Sequence, residues 1–307
     1  MKNQTIYIVG AGAIGKVLAV FLKLQQKEVV LIRGSVDGQV SKIQSMRVEM
    51  AGASFDASIE VTTLANLEEL NGIVVLTNKS FGNEALARAL KPKMNGSPIV
   101  VMQNGLNIEQ SFIDAGFTDI YRCVLFATSQ PVSDHALRFQ LVATSPIGVI
   151  RGTNQNLEHV IAELNSPNFP FKAEMDIQPL IWKKTISNCV FNSVCSLIDV
   201  DNGIFHRNEK ALTIAKRVIK ECVSIAKLSG VTLNEEDVVE NLLKISKSSD
   251  GQLISTLIDI KNKRRTEIDT FNFAITSIAE KYNQESLIVE TKLLGQLTKL
   301  KSELNQQ

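Results

Sequence analysis

The sequence of 307 residues predicts an α/β N-terminal domain with a mostly parallel sheet, followed by an all-α C-terminal domain. Three observations carry that expectation. Short Val- and Ile-rich runs alternate with helical patterns in the first half, strand-like runs nearly vanish after about residue 175, and a glycine-rich turn follows the first run directly. Strand, helix, strand in alternation needs crossover connections, which pair strands in parallel. The length suits two domains. Their boundary is expected in SPNFPFKAEMD (166–176), where two of the seven prolines fall, giving domains of 1–172 and 173–307.

In chain order, TIYIVG (5–10), EVVLIR (28–33), GIVVLTN (72–78) and SPIVVMQNG (97–105) read as buried parallel strands, being compact, β-branched and bounded by Gly, Asn or Ser. AIGKVLAVFLKLQQ and NEALARAL (83–90) carry apolar residues at helical spacing. Residues 121–150 differ: CVLFATSQPV and FQLVATSPIGVI read as extended segments closing the sheet, with a turn around Ser133-Asp134-His135. Helices are expected over 177–200, 208–229, 234–247, 252–260 and 266–300. Pro179 falls where a first helical turn tolerates it. Asn234, followed by Glu235, Glu236 and Asp237, reads as an N-cap with acids at the positive end of the helix dipole. The last stretch, LLGQLTKLKSELNQQ, is amphipathic and ends in a polar tail.

Composition excludes several classes. Thirty-three Lys+Arg against thirty-two Asp+Glu leave a net charge of +1, which argues against bulk capture of nucleic acid or an anionic membrane. No apolar run approaches the roughly 20 residues a membrane-spanning helix needs. The start, MKNQTIYIVGAG, lacks the pattern of a signal peptide, and the four cysteines are scattered, so a cytoplasmic location is expected. Four Cys and three His show no metal-ligand spacing, and no Ser–His–acid order stands out; no metal is expected. Cys189 and Cys195 read as core residues and Trp182 as packing.

Gly10, Ala11, Gly12, Ala13, Ile14 and Gly15 form G-x-G-x-x-G between an apolar strand and an amphipathic helix, the context of a Rossmann-type dinucleotide site. Gly10 permits the tight turn, Gly12 leaves room for a pyrophosphate, Gly15 lets helix and sheet pack closely, and the helix N-terminus offers N–H groups to phosphate. The alternative is a glycine-rich turn with no ligand. At the end of the second strand an NAD-binding chain usually carries Asp or Glu; here Arg33 stands eighteen positions after Gly15, followed by Gly34 and Ser35. A guanidinium beside a hydroxyl suits a 2′-phosphate, so NADPH is the expected cofactor. Asp37 competes for that role, and Arg33 also reads as a solvated strand-end charge.

Lys184, Asn188 and Asn192 recur at i, i+4 and i+8 and line one side of a helix, bordered by Ile186, Val190, Phe191 and Val194. One ammonium and two carboxamides in such a place need partners, which a bound polar substrate supplies. A polar interhelical network is the alternative. Ser255 and Asp259 share a helical face; Glu267 joins that side only if the helix breaks between them, and the run Lys261–Arg265, with no apolar periodicity, permits a break. Lys79 and Asn104 follow the third and fourth of these strands, at the sheet edge where ligands of doubly wound folds bind. Asn104, in Gln103-Asn104-Gly105, also fits a simple turn, and Lys79 a surface lysine.

Together GAGAIG, Lys79 in LTNKS, Gln103-Asn104-Gly105, W-K-K-x-x-x-N-x-x-x-N (182–192) and S-T-L-x-D…R-x-T-E-I-D (255–269) resemble the ketopantoate reductase (2-dehydropantoate 2-reductase) family over nearly the full length. The resemblance implies NADPH-dependent reduction of a small 2-keto acid in pantothenate synthesis. It implies that Lys184 is the general acid, that Asn188, Asn192 and Ser255 bind substrate, that Lys79 and Asn104 lie beside the nicotinamide ribose and substrate, and that Glu267 lies near the nicotinamide end, able to interact with Lys184 or with substrate. Hydride arriving at a keto carbon leaves negative charge on oxygen, which an ammonium stabilises and protonates. The sequence departs from the family at Asn272-Phe273, where a glycine is common, and at KYNQESLIVE, which replaces a proline-containing segment. Other readings are a dehydrogenase of a different hydroxy or imino acid and a catalytically silent NADP(H) sensor. Expected partners are the keto acid alone, with a homodimer the one assembly considered.

Overall fold

The structure, a computed structural model, describes residues 4–34 and 38–306. Ser35 and Asp37, weighed above beside Arg33, lie outside the described residues. The chain forms two compact units, Met1–Gln103 with Ile108–Ile177, and Asn104–Asn107 with Gln178–Gln307.

The first unit runs β1 (Thr5–Val9), α1 (Ala13–Leu24), β2 (Val29–Arg33), β3 (Lys42–Met50), β4 (Ala53–Thr63), β5 (Gly72–Leu76), α2 (Asn83–Leu90), β6 (Ile99–Val101), α3 (Gln110–Asp114), β7 (Ile120–Cys123), β8 (Ala127–Pro131), β9 (Ala136–Leu141), β10 (Ser145–Arg151), α4 (Asn154–Leu164) and β11 (Phe171–Ala173). Its sheet has the order β11-β10-β7-β6-β5-β1-β2-β4-β3-β9-β8. The six strands β4-β2-β1-β5-β6-β7 are mutually parallel. Ranked along the chain they read 3-2-1-4-5-6, the order of a dinucleotide-binding sheet, whose direction of winding reverses between β1 and β5.

Alternation of side chains builds a core on each face. Ile6, Ile8, Ile73 and Val75 join Val17 and Phe21 of α1 on one side. Val9, Val74 and Leu76 join Ala87 and Leu90 of α2 and Phe112 of α3 on the other. The extended segments of 121–150 are β7 to β10; β10 runs antiparallel to β7 and β8 antiparallel to β9. The run 97–105 forms a strand only as far as Val101.

Two parts of this unit carry no clear sequence signal. The hairpin β3–β4 has mostly polar residues on β3, with Met46 and Val48 the buried ones, and turns at Ala51 and Gly52 with φ of 51° and 82°. Both left-handed residues suit a two-residue hairpin turn, without the Asn-Gly that would announce it. In α4, Thr153 caps the helix by accepting from Asn156 N at 3.1 Å.

The second unit is helical. α5 (Gln178–Val190) passes through a π turn at Phe191–Cys195 into α6 (Ser196–Ile198), which stops at left-handed Asp199. There follow α7 (Ile204–Arg207), α8 (Glu209–Leu228), α9 (Glu235–Ser248), α10 (Ser255–Lys261), α11 (Asn272–Lys281) and α12 (Val289–Gln306). Asn234 caps α9 as expected, its side chain accepting from Asp237 N at 3.0 Å. Two helices differ from expectation. The stretch 266–300 is not one helix: Asn283 adopts φ 53° and a 3-10 turn at Glu285–Leu287 separates α11 from α12. Asn tolerates the left-handed conformation, so it stops a helix without Gly or Pro to signal it. The stretch 177–200 is likewise interrupted by the π turn.

Candidate active site

The glycine turn is tightly built. Gly10 has φ +117°, and a Cβ there would collide with the backbone of Asn78 and, at 2.7 Å, with Thr77 C. Gly15 faces the carbonyl of Gly10, and a Cβ would lie 2.6 Å from Thr77 Oγ1. Gly12 is different: a Cβ would meet nothing within 4 Å. Thr77, at the end of β5, seats the turn by donating from Oγ1 to Gly10 O (2.9 Å) and Val9 O (3.2 Å), while its N–H donates to Val9 O (2.8 Å). Among the described residues α1 has no side-chain cap and no acid in its first turn, which leaves the positive end of its dipole to an anion. Asn78 Oδ1, adjoining this turn, is buried with no hydrogen-bond partner among the described residues. A cradle that admits no Cβ, an open face at Gly12 and an orphaned acceptor fit a dinucleotide. Thr77 and Asn78 were not singled out in the sequence; their place at the end of the strand beside the glycines was the available signal.

Arg33 ends β2, half-buried, with Nη1 donating to Gln39 Oε1 at 2.5 Å. Lys79 is exposed and begins the 3-10 turn Ser80–Gly82 after β5. The segment leading to Asn104 is pinned from below. Asn83 and Gln103 exchange two amide hydrogen bonds of 2.8 Å, and Arg122 Nη1 donates to Gln103 O at 2.8 Å. Arg122 is buried, with Nε 3.4 Å from Glu109 Oε2; burial pushes its pKa down and Glu109 opposes that.

In the helical unit, Lys184 and Asn188 are half-buried on α5, whereas Asn192 is 1% exposed within the π turn. Asn192 is therefore not the third member of one regular helical strip. Its Nδ2 donates back to Asn188 O (3.0 Å), and Ser193 Oγ donates to Cys189 O (2.5 Å), so side chains satisfy carbonyls in the widened turn. Asn192 Oδ1 accepts from Ser255 Oγ (3.2 Å) and Thr256 N (3.3 Å). The residue before α10, Ile254, has no side chain able to cap it; Asn192 supplies the capping acceptor from another helix. The carboxamide of Asn188 has no partner among the described residues.

α10 ends at Lys261, and Lys263 has φ 54°, so the chain breaks between Ser255 and Glu267. Glu267 is half-buried, and its carbonyl accepts from Thr270 N and Oγ1, both at 3.0 Å. Thr270 O in turn accepts from Leu106 N at 3.0 Å. Gly105, φ +120°, comes so close that a Cβ would lie 2.7 Å from Thr270 Oγ1. The unit thus brings Asn104 near the Glu267–Thr270 turn and ties Asn192 to Ser255.

One arrangement mimics another chemistry. His206 Nδ1 lies 3.1 Å from Ser246 Oγ and Nε2 lies 3.8 Å from Asp250. Ser246 is fully buried and donates to Asn202 O at 2.7 Å, which leaves no accessible nucleophile. Beside it, Arg207 clamps Asp201 with bonds of 2.7 and 2.8 Å. The four cysteines are buried and form no disulfide, Trp182 is buried, no described helix is long and apolar enough to cross a membrane, and no metal-binding cluster occurs among the described residues.

Comparison with known proteins decides the family. Residues 6–142 match the ketopantoate reductase PanE/ApbA family, and residues 176–300 match its C-terminal domain, ketopantoate reductase PanE/ApbA C terminal. The chain belongs to the ketopantoate reductase family. The family is one of oxidoreductases acting on CH–OH groups. The 2-dehydropantoate 2-reductase of Pyrococcus abyssi is 27% identical over 285 residues, covering 92% of this chain and 93% of that protein. The PanE/ApbA family ketopantoate reductase of Ralstonia eutropha JMP134 superposes with a TM-score of 0.85 at 21% identity, covering 99% of this chain and 100% of that one. A D-mandelate dehydrogenase solved with NADH and anilino(oxo)acetate shares the fold at a TM-score of 0.84 and 18% identity, over 98% and 99% of the two chains.

Proposed function

We propose that this ketopantoate reductase family member reduces 2-dehydropantoate to pantoate with NADPH, in the cytoplasm, on the way to pantothenate. The observation that carries the reading is half-buried Lys184 on one helix with Asn188, whose carboxamide has no partner among the described residues, and Ser255 held by Asn192. When bound, the nicotinamide supplies the hydride. The chain's own groups do the rest. The turn Gly10–Gly15 and the first turn of α1 bind the pyrophosphate, Arg33 pairs with the 2′-phosphate, and Lys79 helps hold the cofactor. Ser255, Asn188 and Asn104 donate hydrogen bonds that orient the substrate's carboxylate and hydroxyl. The Lys184 ammonium stabilises charge developing on the keto oxygen and delivers a proton to it, and Glu267 influences that ammonium or the substrate. Asn192 acts through Ser255.

The test mixes protein, NADPH and 2-dehydropantoate and follows absorbance at 340 nm, with other small 2-keto acids and with NADH in parallel. Oxidation of NADPH with 2-dehydropantoate at the highest kcat/KM of the panel is expected. A higher kcat/KM with another keto acid, or binding without turnover, would overturn the substrate assignment.

A further inference from the structure

The strand after Arg33 brings a second cation to the end of β2. β4 pairs with β2 on one side and with β3 on the other, so its Val61 stands opposite both Leu31 and Lys42, and its Thr63 opposite Arg33. Paired residues share a face of the sheet, and alternation along each strand then places Arg33, Lys42 and Gln44 on one face together. It is the face covered by α1, because Leu31 and Val61 share a core with Val17 and Phe21 of that helix. The helix that opens at the glycine turn and the two cations therefore lie on the same side of the sheet.

Gln44 holds the cations together. With its amide oxygen turned toward them it accepts from Arg33 Nη2 at 3.3 Å and from Lys42 Nζ at 3.2 Å, whereas the other orientation sets donor against donor. Sharing one acceptor keeps the two nitrogens within about 6.5 Å of each other, inside the roughly 8–10 Å over which salt screens charge. Arg33 Nη1 is held by a second amide, Gln39 Oε1, and Asn66 Nδ2 ties the Gln39 carbonyl at 2.6 Å. Amides orient cations without neutralising them. Arg47, further along β3, is neutralised by Asp56 at 2.9 Å, but among the described residues neither Arg33 nor Lys42 forms an ion pair with a carboxylate. Glu60 of β4 stands opposite Ile43 and so faces the other way. Two like charges held this close repel, and an anion between them turns that repulsion into attraction.

We propose that Lys42 is a second ligand of the cofactor's 2′-phosphate and completes, with Arg33, a two-cation clamp that selects NADPH over NADH. The inference rests on the reading of NADPH as the cofactor. A phosphomonoester offers three acceptor oxygens and close to two negative charges. Two of those oxygens can accept from the two cations at once, in place of the single neutral oxygen of Gln44. The 2′-hydroxyl of NADH carries no charge and gains nothing from either cation. Lys42 therefore bears on the choice between the cofactors and not on the binding of the parts they share.

Calorimetric titration of the full chain with adenosine 2′,5′-bisphosphate and with 5′-AMP, beside fluorescence titration with NADPH and NADH, tests the clamp in the wild type, Lys42→Met, Lys42→Arg and Arg33→Ala. Lys42→Met should bind the bisphosphate and NADPH roughly tenfold more weakly, the scale of one exposed charge-assisted bond, with 5′-AMP and NADH unchanged. Lys42→Arg should recover most of that loss. Lys42 is exposed, so both of its variants should keep the wild-type melting profile. Wild-type affinity of Lys42→Met for the bisphosphate, or an equal loss for 5′-AMP, overturns the role of Lys42. If Arg33→Ala alone then loses the bisphosphate selectively, the NADPH reading stands without the clamp. A wild type that binds 5′-AMP as tightly as the bisphosphate, and NADH as tightly as NADPH, overturns both.

Discussion

Replacing Asn192 with Leu removes a nearly isosteric amide that holds two helices together. Asn192 is 1% exposed and Thr256 1%, so the Thr256 N–H and the Asn188 carbonyl lose their side-chain partner where water has little access. A buried polar group left unpaired costs about 1–3 kcal/mol, so the pair implies a loss of roughly 2–6 kcal/mol. That is a large part of the about 5–15 kcal/mol by which a folded protein is stable. Ser255 is exposed, and losing its 3.2 Å bond costs little stability because water replaces Asn192. Ser255→Ala should therefore change stability by less than about 1 kcal/mol, the net worth of a typical hydrogen bond. Both variants should lower kcat/KM, the first because α10 loses its cap and Ser255 its anchor, the second because the hydroxyl is gone. Urea denaturation at fixed protein concentration, with steady-state kinetics on the same preparations, reads both effects. An Asn192→Leu protein within about 0.5 kcal/mol of wild type, a change ordinary for surface sites, and turning over normally would refute the capping role.

Gly15→Ala should lower stability by about 1–3 kcal/mol, as overpacking does, since the new methyl meets the Gly10 carbonyl. Gly12→Ala, with open space around it, should melt like wild type yet bind NADPH more weakly, and fluorescence titration separates the two variants. Arg33→Ala should weaken NADPH binding by roughly 10- to 100-fold, the worth of a charge-assisted bond, and leave NADH binding unchanged; equal losses for both cofactors would deny Arg33 its phosphate. Arg207, by hydrogen bonding, holds the Asp201 carboxyl at about 2, below its ordinary 3.8, with burial opposing and the Gly203 and Gly251 amides assisting. Because the folded value lies below the unfolded one, this pair stabilises the protein above about pH 4 and ceases to do so as pH falls toward about 2. The urea midpoint of Arg207→Ala should fall less steeply over that acid range than that of the wild type.

The sequence was most legible where one local rule decides the structure. Continuous Val and Ile runs such as 72–76 must be buried on both faces, and a glycine turn between strand and helix has few uses. The hairpin of β3 and β4 was illegible because its residues are half solvated and its turn, Ala51-Gly52, is weakly marked. The breaks in the helical unit depend on the conformational tolerance of Asn283 and on a π turn at Phe191–Cys195, neither of which alters hydrophobic period. For the site, spacing pointed to Lys184, Asn188 and Asn192 together, yet the π turn divides their work. Among the described residues the Asn188 carboxamide is left without a partner, while Asn192 is spent on capping α10, a tertiary bond that no sequence window contains. The bonds of Thr77 reach residues 67 and 68 positions earlier, so only its place at the end of the strand marked it in the sequence.

Single-turnover oxidation of NADPH by Lys184→Ala, with NADPH affinity measured on the same protein, tests the proposed chemistry most directly. Loss of the acid should slow reduction of 2-dehydropantoate at least about a hundredfold, the scale of general acid catalysis, while NADPH still binds. A rate equal to that of the wild type would contradict Lys184 as proton donor.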